Sequence, residues 1–294
     1  MSFSLAAYSN GWIMTLKGYV LITGVSTGIG NSLAKTFVKE GYFVFGSVRS
    51  AEDAKSVELE IPGNFAPLIF DVTSKDQIQE ALHTVSSICG DNGLNGLVNN
   101  SGIAIGGPLE LMEMDEIKHH FEVNVFGLIQ VTKLFLPLIK KASGIRRIIN
   151  VGSVSGQVTA PFIGPYVASK HALEGLSGSW RKELMLFDID MILIGPGSVR
   201  TPIWNKGKSK TDYADSAYAK SFTKFAKYVE QSGARGEDVN KLSRQILQVF
   251  TVRKPRTRYA FVKGKLTHWL IPKWLPASYY DHIVGKILGL NSNK

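Results

Sequence analysis

The stretch Tyr19-Val20-Leu21-Ile22-Thr23-Gly24-Val25-Ser26-Thr27-Gly28-Ile29-Gly30 decides how the rest of the chain is read. Residues 19–23 are a short, apolar, β-branched run of the kind that forms a strand buried on both faces. Glycines follow at once, and residues 31–40 then carry a helical pattern. Each glycine has a distinct use in such a strand–turn–helix unit. Gly24 permits a tight turn, Gly28 lets the backbone approach a pyrophosphate, and Gly30 allows close helix–strand packing. Ser26, Thr27 and Ile29 complete the loop, and the helix N-terminus offers unpaired N–H groups and a partial positive charge to phosphate oxygens.

The same alternation continues outward from this unit. Strand-like runs at 42–47, 65–70, 96–99, 145–152, 189–194 and 258–262 are separated by helical patterns at 74–89, 114–141, 165–187 and 237–250. Near-continuous apolar strands joined by helices, with right-handed crossovers, predict an α/β fold. It is a doubly wound, Rossmann-like parallel sheet of about seven strands with helices on both faces. No linker or repeat divides the chain, so a single domain over 17–262 is expected, with a lid at about 202–235. An extension over 1–16 precedes it, and a basic, aromatic extension over 263–294 follows.

Composition narrows the setting. The chain has 294 residues, of which 44% are apolar, and Cys89 is its only cysteine. No intrachain disulfide can form, which fits a reducing, cytoplasmic location. No uninterrupted apolar run approaches the ~18 residues of a spanning helix. The first sixteen residues lack a basic start, and Tyr8-Ser9-Asn10-Gly11 interrupts their apolar stretch, so a secretory signal is not expected; Met14 is an alternative start. The net charge of +10 is concentrated late: residues 205–294 hold 18 Lys/Arg against 6 Asp/Glu. Such a basic third suits either an anionic membrane surface or the solubilisation of an apolar lid. The stretch Arg253-Lys254-Pro255-Arg256-Thr257-Arg258 precedes a strand and reads as a solvated edge, so no nucleic acid is expected as a partner.

Tyr166 and Lys170 lie four residues apart in a helical pattern and so share one helix face. An unperturbed phenol titrates near ~10, too high for acid–base work at neutrality, and a nearby cation favours the phenolate. Ser153, thirteen residues before Tyr166 at the end of the fifth strand, can hydrogen-bond the same substrate oxygen. These groups suit proton transfer at an alcohol or a carbonyl.

The ordered motifs resemble those of the short-chain dehydrogenase/reductase family, in its common single-domain branch. The Thr23 to Gly30 turn matches the family's Thr-Gly-x-x-x-Gly-x-Gly. Asn99-Asn100-Ser101-Gly102 stands for its Asn-Asn-Ala-Gly, with Ser for Ala. Asn124, Ser153, Tyr166 and Lys170 match its catalytic set, and Pro196-Gly197, with Val199 and Thr201 following, its Pro-Gly stretch. The resemblance covers roughly residues 17–260 and is closest in character to retinol and hydroxysteroid dehydrogenases. It implies that Tyr166 is the acid or base and that Lys170 lowers its pKa and holds the nicotinamide ribose. Asn124 would position a water linking Lys170 to solvent. It also implies cofactor contacts at Asn99, Gly102, Asp71 and Val72, the last two at the adenine ring.

The second strand ends in Gly46-Ser47-Val48-Arg49-Ser50, with no acid to bind a ribose 2′-hydroxyl and with Arg49 suited to a 2′-phosphate. NADP is therefore expected, with NAD as the alternative. Asn99-Asn100-Ser101 fits a glycosylation sequon but falls at a buried strand end. His119 and His120 are adjacent and lack metal-ligand spacing, so no metal is expected.

Ile203, Trp204, Tyr213, Tyr218, Phe222 and Phe225 give the lid an aromatic character that suits a small hydrophobic substrate. In the tail, Trp269, Trp274, Tyr279 and Tyr280 interleave with Lys263, Lys265 and Lys273, which suits peripheral membrane contact. A hydrophobic alcohol or ketone of steroid, retinoid or lipid type is the expected substrate, and a homo-oligomer the expected assembly. Two alternatives stand beside this reading: a 3-oxoacyl reductase of fatty-acid type, and a catalytically silent NADP-binding sensor or membrane scaffold.

Overall fold

The computed structural model describes residues 16–202 and 213–291. The expectations for residues 1–15, Met14 among them, and for Ile203 and Trp204 lie outside the described residues.

The apolar runs form seven strands: β1 (Tyr19–Ile22), β2 (Phe43–Val48), β3 (Phe65–Ile69), β4 (Gly96–Asn99), β5 (Arg147–Val151), β6 (Asp190–Pro196) and β7 (Arg258–Phe261). They make one parallel sheet in the order β3-β2-β1-β4-β5-β6-β7. The strands are apolar on both faces because helices cover both. Val20 and Ile22 of β1 join a core with Leu33 and Phe37 of α1 (Gly28–Lys39) and Ile246 and Phe250 of α8 (Val239–Thr251). Leu21, between them, points the other way, toward Ile78 of α3 (Lys75–Cys89) and Phe135 of α5 (Leu128–Lys141). That is the period-2 alternation of a strand expressed as two cores rather than as inside and outside.

Helices α2 (Ala51–Glu60) and α6 (Gly164–Leu184) complete the crossovers, and α4 (Met114–Phe121) runs through the turn Glu122–Gly127 into α5. The continuous stretch Met114–Lys141 has the length and apolar content of a spanning helix, although no uninterrupted apolar run announces one. Half of that window is buried, however, and Val131, Phe135 and Ile139 are fully enclosed against the sheet. It is a core helix.

A buried cation ties α8 to the sheet. Arg147 on β5 is 4% exposed; it donates to the carbonyls of Val249, Phe250 and Val252 at the end of α8 and pairs with Asp190 at 3.0 Å. A guanidinium at a helix C-terminus satisfies carbonyls that have no intrahelical partner and complements the helix dipole.

The described part of the segment expected as a lid is built on α7 (Ala219–Ala234). Phe222 and Phe225 pack on Phe162, each with ring centroids 5.5 Å apart, and Tyr213 meets Phe222 at 4.9 Å. Phe162 adopts φ +64°, a left-handed conformation costly for an aromatic residue, at the entry to α6. After β7 the chain turns through 266–270 into α9 (Ile271–Trp274) and α10 (Ala277–Leu288), and Val284 and Leu288 of α10 pack on the lid cluster. The tail thus caps the lid. Strand order reverses at β1, flanked by β2 and β4, and a crevice opens above the carboxyl ends of these strands.

Candidate active site

The crevice holds a groove of about 450 Å³ lined at one end by Arg49, Asp71 and Val72 and at the other by Ser153, Tyr166 and Lys170. The turn from β1 to α1 forms its floor. Gly24 sits at φ +71°, and a Cβ on Gly30 would stand 2.1 Å from the carbonyl oxygen of Gly24, so no side chain fits there. Thr27, the residue before α1, makes no side-chain cap, so the first-turn N–H groups keep their donors for a groove that Ser26, Thr27, Gly28 and Ile29 line. A backbone held this open at an uncapped helix N-terminus fits the pyrophosphate of a dinucleotide. Pro196, Gly197, Val199 and Thr201 also line the groove, as do Ser101 and Gly102, with Thr201 standing beside Gly28.

The loop after β4 is pinned to that turn. Thr23 Oγ1 accepts from the N–H groups of Asn100 and Ser101, each at 2.9 Å, and the Asn100 amide donates to the carbonyls of Thr23 at 2.9 Å and Gly24 at 3.0 Å. Asn99, expected at the cofactor, points elsewhere. Its amide nitrogen donates to Thr132 and Asn150, each at 2.9 Å, it is 3% exposed, and it does not line the groove. The reason is strand periodicity: Asn99 ends β4 facing the α5 side, and the next residues turn toward the crevice.

Ser153 leaves β5 in extended conformation, and its Oγ accepts from Ser155 N at 3.1 Å. Its hydroxyl hydrogen-bonds the Tyr166 phenol. Tyr166 and Lys170 lie one turn apart on α6, both at 6% exposure, with Lys170 Nζ 5.7 Å from the phenol ring centroid. Lys170 donates to the Val151 carbonyl at 3.0 Å and reaches the groove. Burial governs both pKa values. It raises that of Tyr166, against which the Ser153 hydrogen bond pulls, and lowers that of Lys170 to about 8. Lys170 is itself desolvated and donates to a carbonyl, and in this structure burial, not the ammonium, is the larger influence on the phenol.

Asn124 lies in the wide turn Glu122–Gly127, where the helix follows π-type geometry. Such turns are frequent at functional sites. Its Oδ1 accepts from Ile103 N at 2.9 Å, and its Nδ2 donates to Ile103 O and to Ser169 Oγ, each at 3.0 Å. Both donors of the amide are thereby used. The side chain fixes the loop at the groove wall.

His120, set aside as a metal ligand, does related work. It is fully buried and its pKa is lowered by that burial; Nε2 accepts from Ile105 N at 3.0 Å and Nδ1 faces Glu116 O at 2.9 Å. A backbone N–H can only donate and a carbonyl can only accept, so the proton resides on Nδ1. Asn124 and His120 together fix the backbone of the 103–105 loop, which lines the groove. Thr23 and Asn100 were legible as motif members but not in their role of pinning the loop, and His120 was weighed only as a metal ligand.

Comparison with known proteins agrees with this geometry. A sequence model of the short chain dehydrogenase family matches residues 18–212. The NADPH-dependent 3-dehydrocapnine reductase of Ornithobacterium rhinotracheale is 35% identical, over 92% of this chain and 97% of its own length. Human retinol dehydrogenase 5 is 32% identical, over 92% and 89%. A solved short-chain dehydrogenase from Streptomyces avermitilis superposes with a TM-score of 0.73 at 25% identity, covering 92% of this chain and 95% of that one. The fold, the nucleotide groove and these relatives together establish the chain as an oxidoreductase of the short-chain dehydrogenase/reductase family, related to retinol dehydrogenases.

Proposed function

We propose that this enzyme transfers a hydride between NADP(H) and a hydrophobic alcohol or ketone, with Tyr166 as the acid or base. The observation that carries this reading is the hydrogen-bonded Ser153–Tyr166 pair at the end of the groove, with Tyr166 kept neutral by burial. In the reducing direction, Tyr166 gives its phenolic proton to the substrate oxygen. Ser153 donates a hydrogen bond to the same oxygen, stabilising the charge that develops there. Lys170, with a pKa near 8, stands close enough to neutrality to carry charge beside a forming phenolate. A bound nicotinamide supplies or accepts the hydride.

Arg49 supports NADP over NAD. It is exposed at the end of β2, lines the groove, and has no acidic neighbour in β2. A 2′-phosphate would find a two-pronged donor there. The name of the reductase relative points the same way. The apolar substrate class is supported by the lid cluster around Phe162 and by the retinol dehydrogenase relative. Lid and tail together extend further than a 3-oxoacyl reductase reading requires, and the retained Ser153, Tyr166 and Lys170 weigh against a silent sensor. The test is oxidation of NADPH with a panel of apolar and acyl ketones, using wild type and Tyr166→Phe. Turnover of apolar ketones that disappears in the variant supports the proposal; turnover retained in the variant overturns it.

A further inference from the structure

Helix α10 is apolar along two adjacent rows, and the lid uses only one. Val284 and Leu288 face the lid cluster. The neighbouring row, Tyr279, Ile283 and Ile287, is 67%, 45% and 63% exposed, and its next flank carries His282 and Lys286. At ~100° per residue these rows occupy neighbouring sectors of the helix surface. A helix facing water would place polar residues in that exposed sector. Trp274, just before the helix, is 75% exposed. Scattered apolar residues are ordinary on a surface, but a continuous row bordered by a lysine and a histidine marks a place of interaction.

A second observation lies one helical segment earlier. Arg258, Lys265 and Lys273 stand 5.4, 5.4 and 5.2 Å from the ring of Trp269. Arg258 is neutralised by Glu174 at 2.9 Å, whereas the two lysines are exposed. The indole Nε1–H of Trp269 is enclosed and has no hydrogen-bond partner among the described residues. One enclosed N–H donor and two ammonium groups around one ring favour an oxyanion.

We propose that this face docks the enzyme on an anionic bilayer, with the Tyr279–Ile283–Ile287 row in the acyl boundary and the Trp269 cluster on a lipid phosphate. Charge decides among partners. Residues 205–294 carry 18 Lys/Arg against 6 Asp/Glu, so a second copy would bring like charge against like, whereas anionic lipid brings the complement. An apolar row beside basic residues is the composition of a helix lying in the membrane interface. Because the adjacent row of α10 packs on the lid, docking would set the lid beside the bilayer. That clause rests on the apolar-substrate reading; the docking itself does not.

The test is sedimentation of the full chain with vesicles of phosphatidylcholine, with and without phosphatidylglycerol. The wild type is expected to sediment with the anionic vesicles, less so as salt rises. Ile283→Glu should abolish this, and Lys265→Gln and Lys286→Gln should each weaken it about fivefold. Trp269→Phe keeps the ring but removes the N–H, and should weaken binding only where phosphatidylglycerol is present. NADPH binding, measured in parallel, should be unchanged in all four variants, which separates lost docking from lost folding and from failure of the catalytic reading. No wild-type sedimentation, or equal sedimentation of Ile283→Glu, overturns the proposal. So does a dimer that Ile283→Glu dissociates without affecting vesicle binding. Inorganic phosphate that shifts tryptophan fluorescence in the wild type but not in Trp269→Phe, without vesicle binding, reassigns the cluster to a soluble anion and likewise overturns it.

Discussion

Asn124 and Ile103 hydrogen-bond each other twice, the amide oxygen accepting at 2.9 Å and the amide nitrogen donating at 3.0 Å. This reciprocal pair joins a helix interior to the backbone of the groove wall. Replacing Asn124 with leucine keeps the volume but strands both polar groups of Ile103 in a poorly solvated place. Each stranded group costs about 1–3 kcal/mol, so urea unfolding should show Asn124→Leu destabilised by about 2–5 kcal/mol. Turnover should fall with it. Unchanged stability would mean that the wall does not depend on this pair.

Tyr166→Phe removes one oxygen from a side chain that is 6% exposed, and leaves the ring in place. Loss of a positioned acid typically lowers the rate by about 10²–10⁴-fold. Stopped-flow turnover should fall by that much while NADPH binding, followed by fluorescence, stays within about twofold of wild type.

Arg49→Asp exchanges a two-pronged phosphate donor for a carboxylate that repels phosphate and accepts from a ribose hydroxyl. The Michaelis constant for NADPH should rise by about tenfold or more, while that for NADH is unchanged or falls. Equal changes in the two constants would remove Arg49 from cofactor choice.

The pH dependence of stability has a definite sign. Burial lowers the pKa of Lys170 to about 8, so the folded protein releases that proton at a lower pH than the unfolded chain does. The unfolded state then binds more protons above pH 8, and stability rises with pH toward ~10, near the unperturbed lysine value. Below 8 the buried ammonium costs stability. Tyr166, raised by burial, acts in the opposite sense above ~10 and closes the window. Denaturant titrations at a series of pH values should show this rise in the wild type and a flatter course in Lys170→Met.

Much of the fold was legible because its signals are local. Residues 19–23 are continuously apolar since Val20 and Ile22 face one core and Leu21 the other, and the turn that follows admits no side chain at Gly30. Tyr166 and Lys170 were legible for the same reason, being one helical turn apart on a helix the pattern had announced. Helix α2 was not read, because only Ala54 and Val57 of its ten residues are buried and a nearly solvated helix leaves little apolar rhythm. Helices α7 and α10 were read as lid and tail rather than as elements, since their apolar residues face each other across the chain and complete one cluster only when folded. The burial that raises the Tyr166 pKa was not legible, because desolvation depends on what lies around a side chain, not on its neighbours in sequence. The position of Asn99 was misjudged because a motif fixes where the chain turns, not which of two adjacent asparagines faces the crevice.

The wide turn Glu122–Gly127 has a consequence of phase. One extra residue in a helical turn rotates everything beyond it by ~100° about the axis. Met114–Lys141 therefore behaves as a single rod with two facings: its first part turns His120 and Asn124 to the groove wall, and its second turns Val131 and Phe135 to the sheet. A straight α-helix of the same composition could satisfy only one of these. Deleting a single residue within 122–127 would thus be more damaging than many side-chain replacements, because it changes no chemistry and yet sets one half of the helix out of step with its partners.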